Sequence, residues 1–140
     1  MRITLFTADK ATRLAAELTP KLQELVAWRT DLLRIEARLD VLGLALAGAS
    51  ADNPDAVESR MLATRRAELA SRIRSGLEAI HERGPVVKDL DQGLLDFYSL
   101  SGDRLVFLCW KLGESEVAHW HPLSGGFSTR KPLDHSSLEE

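Results

Sequence analysis

The sequence predicts an α+β protein, a long antiparallel helical hairpin followed by a small antiparallel β-meander. Leucine and other apolar residues recur every three or four positions from Leu14 to Ile80, which is the period of a helix buried on one face. After Gly84-Pro85 the pattern changes to alternation. Short glycine-containing turns then divide the remainder into strand-length runs. At 140 residues, the chain is the size of a single domain able to bury about two-thirds of its unfolded surface without a disulfide or structural metal.

The first helix is expected over residues 7–47. Thr7 is a natural N-cap, and Asp9 places negative charge in the first turn, where the helix dipole favours it. Leu14, Leu18, Leu22, Leu25, Trp28, Leu32, Ile35, Leu39, Leu42 and Leu46 form its apolar stripe. Pro20 removes one backbone hydrogen bond and crowds the preceding turn, so a kink or break is expected near Thr19. Gly48 and Ser50 to Pro54 supply a polar connection. The second helix, 55–83, carries Val57, Met61, Leu62, Leu69, Ile73, Leu77 and Ile80 and stops at Gly84-Pro85. Joined by a short loop, the two helices should pack antiparallel, with stripe to spare for a second copy of the chain or for the sheet.

The β-unit is expected over 86–123. Its runs are Val86 to Lys88, Leu94 to Leu100, Arg104 to Leu112 and Val117 to Leu123, with turns at Ser101-Gly102-Asp103 and Gly113 to Glu116. Residues 124–140 read as a trailing segment with a mobile acidic end.

Composition limits the functional classes. With 44% hydrophobic and 28% charged residues the chain matches an ordinary globular protein. The longest uncharged apolar run, Val41 to Ala49, is about half of what a membrane helix needs. Arg2, Asp9 and Lys10 interrupt the N-terminus where a signal peptide would stay apolar, and Cys109 is the sole cysteine, so a reducing, cytoplasmic setting is expected. A net charge of −3 argues against a dedicated nucleic-acid binder. Residues 85–140 hold five basic against nine acidic side chains, which favours a cation over phosphate as a ligand there.

Specific strings lie in the β-unit: Lys88-Asp89-Leu90-Asp91-Gln92-Gly93-Leu94-Leu95-Asp96-Phe97, Leu108-Cys109-Trp110-Lys111-Leu112-Gly113-Glu114, Trp120-His121, and Gly126-Phe127 with Arg130 through Leu133. In these the chain resembles an uncharacterised prokaryotic family, domain of unknown function 2203. That family also places an alanine- and leucine-rich helical region with an internal proline ahead of this block. The resemblance implies this architecture and a dense polar motif, with no assigned activity.

Two groups of residues can carry chemistry. Cys109, His119 and His121 offer the thiolate and imidazole donors that zinc and similar divalent metals accept. Asp89, Asp91 and Asp96, with Glu114 and Arg130, are candidates for binding a small-molecule ligand. Strand register decides whether the groups meet, because a slip of one residue turns every side chain to the other face. A two-residue turn after Leu100 or Ser101 puts Asp96 on the face of Phe107, Cys109 and Lys111. A two-residue Gly113-Glu114 turn would then send both histidines into the core, whereas an odd-length loop buries Trp120 beside Trp110 and gathers Asp96, Cys109, His119 and His121. Burying a large aromatic side chain is worth roughly 1.5–3 kcal/mol, and unpartnered imidazoles in a core cost about 1–3 kcal/mol. The odd loop is therefore expected.

The function expected is ligand or metal binding on the polar face of the β-unit, with a divalent metal such as zinc as the cofactor. The alternative is a non-catalytic helical module that acts through its stripe, and a homodimer through the helices is expected in either case. No Gly-rich phosphate loop, nucleophile elbow or paired-cysteine zinc motif is present.

Overall fold

The computed structural model describes residues 2–46 and 48–133. Helix α1 spans Ala8–Ala45 and α2 spans Pro54–Glu82. Both begin as their caps dictate: the Thr7 hydroxyl accepts the Lys10 N–H at 3.2 Å, and Asn53 accepts the Asp55 N–H at 2.8 Å. Pro54, in the first turn of α2, lacks a donor at a position that needs none.

The break expected near Thr19 does not occur, and α1 runs through Pro20. Fully or nearly buried Leu18, Leu22 and Leu25 lie on both sides of the proline, so one continuous packed face holds the helix together across the lost hydrogen bond. Beside it the Thr19 hydroxyl donates to the Ala15 carbonyl at 2.8 Å.

Five strands follow in an antiparallel meander ordered β1-β2-β3-β4-β5: Val86–Asp89, Leu94–Ser101, Arg104–Lys111, His119–Pro122 and Lys131–Pro132. Leu95, Phe97, Leu108 and Trp110 form one face and pack on Leu14, Leu18, Leu22, Leu25 and Ile80 of the hairpin. Trp120 joins this core, as the odd loop requires. A second cluster, Leu32, Leu69 and Ile73, continues the helix contact. Further toward the helix connection, Val41, Leu44, Val57 and Met61 are exposed. No helix among the described residues is long and apolar enough to cross a membrane.

Two parts of the β-unit depart from expectation. The third hairpin is closed by a seven-residue stretch, 112–118, rather than a turn at Gly113 to Glu116, and β4 starts only at His119. Val117 is buried, but its N–H donates to the Thr12 hydroxyl of α1 at 2.9 Å, so it serves the helix contact instead of the sheet. The trailing segment is also not a tail over its described part. Phe127–Thr129 form a 3₁₀ turn, and Lys131–Pro132 pair with His119 and Trp120 as a fifth strand. The Leu133 N–H donates to the Ala118 carbonyl at 2.8 Å. The acidic end, 134–140, lies outside the described residues.

Candidate functional site

The helices cover one face of the sheet, and the candidate chemistry sits on the other. Register places it there. Asp96 of β2 is opposite Cys109 of β3, Cys109 is opposite His119 of β4, and Phe107 is opposite His121. Side chains two apart on a strand share a face, so Asp96, Phe107, Cys109, His119 and His121 all project away from the helices.

Within this set, one oxygen of Asp96, the sulfur of Cys109 and a ring nitrogen of His121 lie within 4.8 Å of one another. All three residues are about 1% exposed. His121 reaches diagonally over β3, and its Nε2 lies 2.9 Å from Asp96 Oδ2. Its other nitrogen, Nδ1, is 2.7 Å from the Pro122 carbonyl. A carbonyl only accepts, so Nδ1 carries a proton and Nε2 directs either a lone pair or a second N–H at the carboxylate. Phe107 packs tilted against this imidazole, with ring centroids 5.5 Å apart.

Asp96 Oδ1 is buried and, among the described residues, accepts no hydrogen bond. A buried carboxylate oxygen left in this way is costly. Burial pushes the Asp96 carboxyl above its usual range, with His121 and Lys88 pulling the other way. Cys109 is pushed up to about 11, first by burial and then by the Asp96 charge, against the pull of Arg130. In the metal-free protein the sulfur is therefore a thiol and no ready nucleophile.

His119, expected as a metal ligand, stands beside Cys109 in register but outside the three-residue group. Its Nδ1 is buried and, among the described residues, has no hydrogen-bond partner. Strand spacing assigns a side chain to a face; it does not say in which direction along that face the ring points. Asp96, expected as a ligand-binding carboxylate, takes the place in the metal group that spacing gave to His119.

Glu114 and Arg130 are committed to each other through two hydrogen bonds, of 3.0 and 2.7 Å. Glu114 also accepts the Lys111 N–H at 2.8 Å, and its carbonyl accepts the Trp110 indole N–H at 3.0 Å. Burial opposes the charge on Glu114, but Arg130 and the Lys111 N–H outweigh it and keep the carboxyl below its ordinary range. The Arg130 guanidinium stacks 4.2 Å from the Phe127 ring centroid, so the pair clamps the 3₁₀ turn over the sheet.

Asp89 and Asp91 are used by the turn that holds them. Asp89 accepts the backbone N–H groups of Asp91 and Gln92 and the Gln92 amide. Asp91 pairs with Arg29 of α1 at 3.1 Å. A run of polar residues with a glycine gives the Asp89 turn away in the sequence, but nothing in it signals a contact across 62 positions.

A family model described as an uncharacterised conserved protein, DUF2203, matches residues 4–133. No curated protein and no solved structure matches the chain.

Proposed function

The chain belongs to the uncharacterised DUF2203 family, whose description carries no activity, and from the geometry of its β-unit we propose that it is a metal-binding domain. Asp96, Cys109 and His121 hold a divalent cation such as zinc. The observation that carries this reading is the buried Asp96 carboxylate, whose Oδ1 accepts no hydrogen bond among the described residues, within 4.8 Å of an imidazole nitrogen and a thiol.

Oxygen, nitrogen and sulfur together suit zinc, whereas calcium and magnesium favour oxygen alone. The Pro122 carbonyl on His121 Nδ1 is the outer contact that a metal-bound histidine usually makes, leaving Nε2 for the ion. A divalent cation with one carboxylate and one thiolate is neutral, which removes the penalty of burying Asp96 charged. Calorimetric titration of metal-free protein with zinc should give one ion per chain. Asp96→Asn and Cys109→Ser should each abolish uptake while keeping the circular dichroism of the parent. A parent that takes up no zinc, or variants that bind it as well as the parent, would discard the reading.

A second reading is motivated by the helical hairpin. Leu44 and Met61, 87% and 68% exposed, and the exposed Val41 and Val57 lie toward the helix connection, where a second copy of the chain can cover them. Under this reading the parent sediments as a dimer, and Leu44→Glu with Met61→Glu sediments as a monomer. An unaltered mass would remove it.

A further inference from the structure

We propose that the cavity above Asp96 and Cys109 binds a small organic carboxylate, one oxygen completing the metal's coordination while the Lys88 ammonium pairs with the anion. This rests on the metal-binding reading above. The cavity has a volume of about 380 Å³ and is lined by Asp96 and Cys109 together with Lys88, Asp89, Leu94 and Phe127, among others. His121 is not among its lining residues, so the cavity borders the cluster on its carboxylate and sulfur side. Three protein ligands leave one of zinc's four tetrahedral positions free, the arrangement of sites that take a water or a substrate. The cavity is where that position can be reached.

The chemical class of the ligand follows from the charges around the opening. The C-terminal part of the chain is acidic as a whole, but the carboxylates near this cavity are occupied. Asp89 is held by its turn, Glu114 by Arg130, and Asp96 belongs to the metal group. Lys88 has no ion pair among the described residues. Its Nζ lies 4.8 Å from the Phe107 ring centroid, which places the ammonium on the same face as the cluster. Register explains this position: Val86 is opposite Asp96, and Lys88, two residues on, projects to the same side at the irregularity between Val87 and Asp89. With the metal cluster neutral, the ammonium groups of Lys88 and of Lys111, whose Nζ lies 5.4 Å from the Phe127 ring centroid, stand against the single carboxylate of Asp89, which only neutral donors hold, and the net positive charge matches a monoanion. Leu94 and Phe127 add apolar wall, and the volume exceeds what a bare inorganic ion needs. A carboxylate with a short hydrocarbon chain fits all three conditions.

Cobalt(II) is a visible reporter of the same coordination. The full chain loaded with cobalt, titrated with sodium butyrate at constant ionic strength, should show a saturable change in its visible absorption, and butyramide should show none. Lys88→Gln, altered at an exposed side chain, should take up cobalt as the parent does but bind butyrate about tenfold or more weakly, the loss expected for one charge-assisted contact. No butyrate response in cobalt-loaded protein, an equal response in Lys88→Gln, or a response to inorganic phosphate instead of butyrate would overturn the proposal. Failure to take up cobalt at all would instead overturn the metal-binding reading on which it rests.

Discussion

Between His121 Nε2 and Asp96 Oδ2 the 2.9 Å gap has to contain a proton, because Nδ1 already gives its own to Pro122. A metal ion at Nε2 replaces that proton and also displaces the one on the Cys109 thiol, so zinc uptake should release about two protons and strengthen as pH rises. Calorimetry in buffers of different ionisation enthalpy counts them. Because burial raises the Asp96 carboxyl, the folded metal-free protein holds its proton more tightly than the unfolded chain does. That contribution is complete below the ordinary carboxyl value of about 3.9 and is lost as pH rises through the folded value. Asp96→Asn keeps a donor for Nε2 without a charge, so with chelator present its stability relative to the parent should be greater at neutral pH than at about pH 4. Urea melts at the two pH values check this, and parallel curves would contradict it. Glu114 behaves oppositely: its carboxyl is held low, so its contribution is present above about 4.3 and disappears as pH falls through the lower folded value. Glu114→Gln should cost about 1–2 kcal/mol at pH 7 and progressively less as pH falls below about 4.3, read by the same melts.

At the scale of elements, the backbone at Gly93 and the helix crossing at Gly76 leave no room for a side chain. Gly93 has φ +67°, and a Cβ there would sit 2.7 Å from Leu112 Cβ; Gly93→Ala should cost roughly 1–3 kcal/mol in urea unfolding. At Gly76 a Cβ would meet the fully buried Leu25 side chain at 2.5 Å, so the helices approach closely there. These elements differ in how far the sequence discloses them. The stripe from Leu14 to Leu46 repeats for many turns and needs no partner to be recognised. The face shared by Asp96, Cys109 and His121 follows from alternation together with the need to bury Trp120. Strand β5 could not be found in this way, because two residues including a proline are too short to alternate and proline is a poor strand former. The diagonal reach of His121 to Asp96 is likewise invisible, since spacing fixes a Cβ direction and leaves the side-chain torsions free.

Across the whole molecule, helices, sheet and C-terminal turn form successive layers, and the proposed metal lies between the last two. Its three ligands come from consecutive strands, so an ion that binds only the folded protein stabilises the β-unit as a whole. At a free zinc concentration one hundred times the dissociation constant, the gain should be about 2.7 kcal/mol in the parent and absent in Asp96→Asn. Thermal melts with and without zinc measure the difference. The N-terminal segment adds a different constraint. The Phe6 N–H donates to the Tyr98 carbonyl at 2.8 Å, and the Ser99 hydroxyl donates to the Phe6 carbonyl at 2.6 Å, along the part of β2 that β1 does not cover. A chain growing on a ribosome finishes both helices before any of the strands that shield their leucines has been made. At roughly 5–20 residues per second, several seconds pass before β4 follows. Phe6 has no strand to join until β2 emerges, and the leucines of the nascent hairpin stay uncovered until the rest of the sheet follows.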